Sequence, residues 1–580
     1  MITDRQIRLV IGSLLHDIGK VVYRSGDGRN HSQSGYGYLR DEAGIQDEEI
    51  LNCVRYHHGS YIKNAQIPVK SSAYVTYYAD NVASFSDRRE AEDSEDGFDK
   101  KTPLDSVFNI LNGNHGKSHY AMQVLDPKSG INYPTETATS LDEYFYKKVI
   151  QNITDNLKGI TITEEYLNSL LSVLEANLSY IPSSTSRREL ADISLYDYMK
   201  MTAAIASCVE QYLEEKGEND YRGCLFTNAT KTYEDQMFLL YSIDISGIQS
   251  FIYTIGEQGA LRGLRARSFY LELMMEHIVD ELLEKLSLSR ANLIYTGGGH
   301  CYMLVPNTAR AKTVIDASEK ELNQWMMKHF GMALYVAGGY VEASANNFRN
   351  LPEGSYSELY LEVSRKISLK KNHRYNADEI HWLNSRTHDG ERECKVCRQI
   401  AHLKEDKCPT CNALEKMSGN ILYKNFFSVL CEPEENALPL PWGRYLVADA
   451  DETALKKRME KDAYVRSYTK NNIYTGKHVS TKLWVGDHTT GDTFEAFAEK
   501  AEGVKRIAIL RADVDNLGNT FVRGFEQANG NTKYVTLSRT ATLSRQLSLF
   551  FKCYINHILD HGTDTAFGKN GQRNVTIVYS

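Results

Sequence analysis

Three groups of side chains in this 580-residue sequence are spaced as metal and phosphate chemistry requires. HDIGK (His16-Asp17), NHSQSG (His31), YHHGS (His57-His58) and YYADNVAS (Asp80) bring imidazoles and carboxylates into the first 85 residues. Such ligands suit Mn, Fe, Ni or Zn, and two such ions can clamp a phosphodiester and generate hydroxide. Neighbours on a helix point about 100° apart, so His57 and His58 are expected to divide their roles. One is then a ligand and the other a contact to substrate or to the ligands. Cys394-Lys-Val-Cys397 and Cys408-Pro-Thr-Cys411 are CxxC pairs ten residues apart. Four thiolates at that spacing fit a closed tetrahedral zinc, structural in kind, whose binding energy folds a segment too charged to make a core. Asp513 and Asp515, in ADVDNLG, stand two apart at the end of a strand-like run. Their carboxylates share one face, as Mg²⁺ bound to a nucleoside triphosphate requires.

The elements that must carry these groups follow from periodicity. Ile7, Val10, Ile11, Leu14, Leu15, Ile18, Val21 and Val22 recur at helical spacing, and Ile50–Tyr61 and Ala73–Phe85 repeat the pattern. Residues 1–100 therefore read as an all-helical domain, with the acidic run Glu90–Asp99 as a solvated linker. Residues 101–235 read as a helical linking region without visible chemistry. Residues 236–385 have the order β-α-β-β-α-β, the ferredoxin-like layout of polymerase and nucleotide-cyclase palms. Residues 386–500 form a linker bearing the four cysteines, and residues 501–580 begin a second palm. There Val504–Ala512 reads as a strand, Thr536–Leu559 as a helix and Asn574–Ser580 as a strand on which the sequence stops.

Aligned, the two palms set Asp244 beside Asp513 and Ser246 beside Asp515, while the turn Gly297-Gly298-Gly299-His300 has no carboxylate. The first palm is thus expected to hold nucleotide without doing chemistry, its glycines allowing close backbone approach. Arg262, Arg265 and Arg267 are candidate phosphate or nucleic-acid contacts, with Arg539 and Arg545 weaker ones. The whole is an α+β multidomain chain. Its 42% hydrophobic and 24% charged composition is that of a globular protein, and 67 basic against 75 acidic residues give a net charge of −8. That excludes a polybasic nucleic-acid binder; any such surface is local. No apolar run reaches the roughly 18 residues of a membrane span, and the N-terminus lacks the features of a signal peptide. Ten cysteines, four of them clustered, point to a reducing cytoplasm rather than a disulfide framework.

HDIGK, DISGIQSFIYT, the CxxC–CxxC insert and ADVDNLG, in that order from residue 3 to 580, resemble the large multidomain subunit of type III-A (Csm-type) CRISPR effector complexes. The resemblance implies a permuted HD nuclease domain, two palms and a zinc-bearing linker. It implies a Gly-Gly-Asp-Asp turn after a strand like VTIVYS, so that the second palm is cut just before it, and a C-terminal helical domain beyond. It further implies that His16 and Asp17 bind the metal of a single-strand deoxyribonuclease, which His57 or His58, Asp80 and, less firmly, His31 complete. Asp513 would hold Mg²⁺ for making cyclic oligoadenylates from ATP, with the second ATP cradled near Gly297–His300. Guide CRISPR RNA, target RNA, single-stranded DNA and the other effector subunits are the implied partners. Two rival readings are a free-standing HD/cyclase signalling enzyme and a scaffold of a guide-RNA complex without chemistry.

Overall fold

Thr3 starts the first helix: its hydroxyl accepts from the Gln6 amide while its own amide donates to the Gln6 side chain, closing a capping box. Behind this cap, Ile7, Val10, Ile11, Leu14 and Leu15 form one buried stripe of α1 (Asp4–Leu15). Helices α2 (Gly19–Arg24), α3 (His31–Gly37), α4 (Glu48–Arg55), α5 (Gly59–Ile62) and α6 (Ser72–Asp87) follow. This computed structural model describes residues 2–580 except 88–96, 129, 138–140, 257–258, 474, 476–479, 502, 513, 528, 562–573 and 579–580. Most of the acidic run Glu90–Asp99, and Asp513, lie outside the described residues.

The single helix expected over Ile50–Tyr61 is two. Tyr56 leaves helical geometry (φ −115°, ψ 17°) and His58 is extended (φ −107°, ψ 142°), so His57-His58 occupy a bend between α4 and α5. Helices α7 (Glu143–Leu157), α8 (Glu164–Leu178), α9 (Leu195–Lys216) and α10 (Ala229–Thr232) come next. They share one core with the N-terminal helices: Leu170, Leu174, Met201 and Ile205 join Ile11, Leu14, Tyr78 and Val82. The long α9 packs against α1, α6 and the following sheet.

That sheet is the first palm. Strands β1 (Phe238–Ser246), β2 (Leu293–Gly297), β3 (His300–Pro306) and β4 (Tyr335–Ala343) pair antiparallel in the order β2-β3-β1-β4. Helices α11 (Ile248–Tyr253) and α12 (Ala260–Lys285) connect β1 to β2, and α13 (Ala309–Phe330) connects β3 to β4, giving the split βαβ expected. β1 opens on the apolar run Phe238–Tyr241 because both of its faces are covered there. Leu239, Tyr241, Ile243 and Ile245 enter one core while the alternate Phe238 and Leu240 enter the other. The register sets Asp244 opposite His300. Helices α14 (Ala345–Phe348), α15 (Ser355–Asn372) and α16 (Ala377–Ser385) follow, with α15 laid along β4 and β1.

The cysteine segment carries a small ladder, β5 (Arg392–Glu393) with β6 (Ile400–Ala401), and then α17 (Pro409–Tyr423), which packs on α12. A five-stranded sheet follows in the order β11-β10-β7-β9-β8. Its strands are β7 (Phe426–Leu430), β8 (Leu438–Leu440), β9 (Arg444–Asp449), β10 (Tyr464–Lys470) and β11 (Thr481–Leu483), with α18 (Glu452–Met459) inserted. Helices α19 (Phe494–Glu499), α20 (Leu517–Arg523), α21 (Leu537–Ser548) and α22 (Ile555–His561) complete the chain.

The second palm departs from expectation. Val504–Ala512 is not a strand: Ile509 and Leu510 are 86% and 93% exposed. A strand needs neighbours to take its amides and carbonyls, and among the described residues none lies beside this run. The Asn574–Ser580 strand is likewise reduced to one bridge, Thr576 with Thr489. The internal repeat persists in the backbone all the same. Gly247 (φ 92°) and Asn516 (φ 55°) are both left-handed and each precedes a helix, α11 and α20. Among the described residues no helix is long and apolar enough to cross a membrane.

Candidate functional site

His16 and Asp17 leave the C-terminal end of α1, where the Nδ1 of His16 donates to the Ser13 carbonyl three residues back (2.7 Å). His57 repeats the device at the end of α4, its Nδ1 donating to the Val54 carbonyl (2.7 Å). With Nδ1 so occupied, both rings direct a free Nε2 to the same point. His16 Nε2, His57 Nε2 and Asp17 Oδ1 are buried there without a hydrogen-bond partner, and Asp17 Oδ2 is met by Lys20 Nζ at 2.6 Å. Asp17 is 1% exposed, so these polar atoms converge where water does not reach. A cation answers this arrangement.

The ligand atoms fall into two sets, His16–Asp17–Asp80 and His31–His57–His58, each within 4.8 Å. Asp17 joins them: Oδ2 is 3.5 Å from His16 Nε2, and Oδ1 is 3.5 Å from both His31 and His57. A carboxylate placed between two such sets suits a pair of divalent ions sharing one bridging ligand. The expected division between His57 and His58 does not arise. Because the pair sits on a bend and not a helix, both reach the centre, and His58 Nε2 lies 2.6 Å from His31 Nε2. His31 belongs to the cluster as closely as the others. Burial lowers the basicity of His16, but Asp17 and Asp80 more than offset this and raise its pKa to about 9. Burial pushes His31 down to about 3. Burial raises Asp17, yet Lys20 and His16 outweigh it and hold the carboxyl well below its usual range. Lys20 Nζ is 2.6 Å from Asp17 and also stands over the Tyr198 ring.

Tyr198 was not legible in the sequence. It comes from α9, in the region that showed no chemistry, and its hydroxyl donates a short hydrogen bond to Asp80 Oδ1. The bond fixes the Asp80 carboxylate, whose Oδ1 also lies 3.4 Å from His16 Nε2. Tyr198→Phe is expected to weaken Mn²⁺ binding at this centre about tenfold, as loss of an outer-shell partner does. Titration with Mn²⁺ checks this; an affinity within twofold of wild type contradicts it.

On the palm, Asp244, Ser246, Gly297–Gly299 and His300 gather at the end of β1. Asp244 and Ser246 line an open cleft of about 460 Å³, together with Gly298, Lys371 and Arg374. The backbone at Gly299 is left-handed (φ 80°), which favours glycine, and a Cβ there would also displace the Ile248 side chain, which it would meet at 2.0 Å. Asp244 accepts from Lys371 Nζ (2.7 Å) and lies 3.2 Å from His300 Nδ1. Burial raises its pKa, but the hydrogen bonds from His300 and Lys371 hold it below the ordinary value. Engaged on both oxygens, Asp244 is a poor metal ligand and a good anchor for the lysine. Lys371 and Arg374, on and just after α15, were not singled out from sequence. Asp515 is exposed ahead of α20.

The four cysteine sulfurs lie within 4.8 Å of one another. Cys408 is the N-cap of α17, with Pro409 at the first position, and Cys397 Sγ is 3.6 Å from Cys408 Sγ. Zinc–sulfur bonds of about 2.3 Å set tetrahedral edges near 3.8 Å, so the cage fits that ion. The arginine assignments are corrected. Arg262 is exposed beside Asp492 (3.5 Å), but Arg265 and Arg267 are buried. Arg265 donates to Thr489, Gly491 and Thr576, and Arg267 donates to Cys411 Sγ, so neither offers phosphate a surface. Arg539 and Arg545 are buried against Asp192 and Asp197.

Comparison with known proteins agrees with this layout. An HD domain family model matches residues 3–84, the Csm1 subunit domain B model residues 237–386, and the Cas10/Cmr2 second palm domain model residues 506–580. A CRISPR system single-strand-specific deoxyribonuclease Cas10/Csm1 (subtype III-A) from Mycobacterium tuberculosis is 39% identical over 99% of this chain and 76% of its own length. The protein of the same name from Enterococcus italicus is 40% identical over 96% of this chain and 76% of its own length. Among solved structures, a Csm1-Csm4 cassette in complex with one ATP superposes with TM-score 0.74 at 25% identity, covering 99% of this chain and 74% of that one. A Csm1-Csm4 cassette in complex with cA4 gives TM-score 0.73 at 24% identity, covering 99% of this chain and 73% of that one.

Proposed function

This chain belongs to the Cas10/Csm1 family of subtype III-A CRISPR systems, and we propose that it cleaves single-stranded DNA at the His/Asp centre and binds ATP at the palm for cyclic oligoadenylate synthesis. The observation that carries the nuclease reading is the convergence of six metal-type side chains, among which His16 Nε2, His57 Nε2 and Asp17 Oδ1 are buried without a hydrogen-bond partner. Divalent ions of the Mn or Ni kind, held by His16, Asp17, His31, His57, His58 and Asp80, would supply Lewis acidity and a nucleophilic hydroxide. The chain's own residues do the rest. Ser13 and Val54 carbonyls fix the imidazole tautomers, Tyr198 orients Asp80, and Lys20 faces a phosphate once Asp17 is engaged by metal. His31 is partly exposed while His16, Asp17 and His57 are closed off, so the strand enters from the His31 side.

At the palm, Lys371 and Arg374 would take the phosphates of one ATP, with the glycine turn leaving room for close backbone approach. Asp513 and Asp515 would hold Mg²⁺ for the second nucleotide. Catalysis of this kind is mostly positioning and charge neutralisation. The four cysteines would hold structural zinc. Guide CRISPR RNA, target RNA and the other effector subunits, including a Csm4-type partner of the sort seated on the solved Csm1 chains, complete the machine we envisage in the cytoplasm.

The test is the assembled complex given Mn²⁺, labelled single- and double-stranded DNA, and ATP with Mg²⁺. We expect loss of the single strand alone and formation of cyclic oligoadenylates, both dependent on target RNA. No metal-dependent DNA loss in any assembly overturns the nuclease reading. Lys371→Ala is expected to raise the KM for ATP about tenfold, the size of one lost charge-assisted contact, with DNA cleavage unchanged. A KM within twofold of wild type removes Lys371 from the cradle.

A further inference from the structure

Arg267 is 3% exposed, yet no carboxylate among the described residues lies within ion-pair reach of it. A guanidinium buried without a counter-charge is costly, so some anion must answer it. Its contacts identify that anion. Nη2 donates to Cys411 Sγ (3.2 Å), one of the four clustered sulfurs. Four thiolates around one Zn²⁺ carry a net charge of about −2, a suitable partner for a buried cation. The other arm points elsewhere: Nη1 donates to the Phe251 carbonyl (3.4 Å), and the guanidinium stands 4.7 Å from the Phe251 ring centroid.

Phe251 belongs to α11, whose first turn forms one wall of the palm cleft through Ile248, Gln249 and Ser250. The same turn packs on the glycine turn, the Ile248 side chain occupying the space beside Gly299. α11 therefore rests on the glycine turn through Ile248 and on Arg267 through Phe251, and Arg267 is held by the cysteine cluster.

We propose that Arg267 is a positioning residue that couples metal occupancy of the four-cysteine site to the shape of the nucleotide cleft. This rests on the reading of that cleft as an ATP site. With the cluster loaded, the thiolates fix the guanidinium and the guanidinium fixes α11. With the cluster emptied or oxidised, Arg267 is left uncompensated, its side chain moves, and the Ile248–Ser250 wall loses its support. The proposal makes the zinc lobe an adjuster of nucleotide affinity as well as a fold element.

The experiment compares zinc-loaded wild type with Arg267→Gln and Arg267→Lys in the full chain assembled with its partners. Zinc transfer to a chromophoric chelator, KM and kcat for ATP, and DNA cleavage are read on each. Arg267→Gln is expected to release zinc about tenfold faster and to raise the KM for ATP at least fivefold, leaving kcat and DNA cleavage unchanged. Arg267→Lys keeps the charge but loses the forked geometry, so zinc retention recovers while the raised KM persists. Zinc release within twofold of wild type in Arg267→Gln overturns the proposal, as does fast release with an unaltered KM. Failure of the wild type to bind an ATP analogue would instead strike at the cleft reading, and zinc release then stands as the separate test of the Arg267–cluster contact.

Discussion

Asp17→Asn is expected to reduce metal-dependent cleavage of single-stranded DNA by about 1,000-fold or more. Asp17 is the group that faces both ligand sets, so its loss weakens both metal positions at once. Removing charge stabilisation worth about 4 kcal/mol from a hydrolytic transition state gives a decrease of that size. The amide keeps the shape of the carboxylate, and the surrounding helices stay packed. Bound manganese per chain, measured by mass spectrometry of the metal, should fall in parallel. ATP conversion should remain at the wild-type rate because the palm cleft shares no residue with this centre. Cleavage within tenfold of wild type would falsify the bridging role of Asp17.

The second large effect concerns stability. Arg539 is 1% exposed and meets Asp192 with two parallel bonds, Nε to Oδ2 at 2.7 Å and Nη2 to Oδ1 at 2.8 Å. Its remaining arm donates to the Tyr534 carbonyl. Arg539→Met leaves Asp192 buried and unpaired, at a cost of about 3–5 kcal/mol. That cost falls where α21 docks on the helical region, beside the parallel pair of Arg545 with Asp197 (2.8 Å). Amide exchange in α21 is expected to accelerate by about 100-fold or more. The double variant Arg539→Met with Asp192→Leu should recover most of the loss, because a matched apolar pair needs no counter-charge. Exchange unchanged in the single variant would mean that Asp192 finds another cation or that water reaches it.

Much of this molecule can be read from residue types. The period-3.6 stripe of α1, the four-strand order of the palm and the CxxC pairs each follow from a local signal, and each stands in the fold. So does the membership of His16, Asp17 and Asp80 in one cluster. The misses have physical causes. His57 and His58 were expected to divide their roles on the premise of a helix, where neighbours point about 100° apart, but α4 ends at Arg55. Arg265, Arg267, Arg539 and Arg545 read as candidate phosphate contacts because a buried Arg and an exposed one look alike in sequence; the partners that bury them include groups 144 to 348 residues away. Tyr198 and Lys371 were invisible for the same reason, since only the fold brings them to Asp80 and Asp244. Val504–Ala512 carries the apolar run of a strand, but pairing is a property of neighbours, not of the segment.

The short bond from Tyr198 to Asp80 spans 118 positions of the chain. It means that the metal-binding helices are not a portable cassette. Cut away after α6, they would keep every first-hand ligand yet lose the hydroxyl that aims one of them, along with the α9 surface that shuts out water. A grafted or excised version would inherit the motif and forfeit the enzyme. Evolution of this nuclease is therefore tied to the interior of α9, where a substitution far from any recognisable signature can silence it.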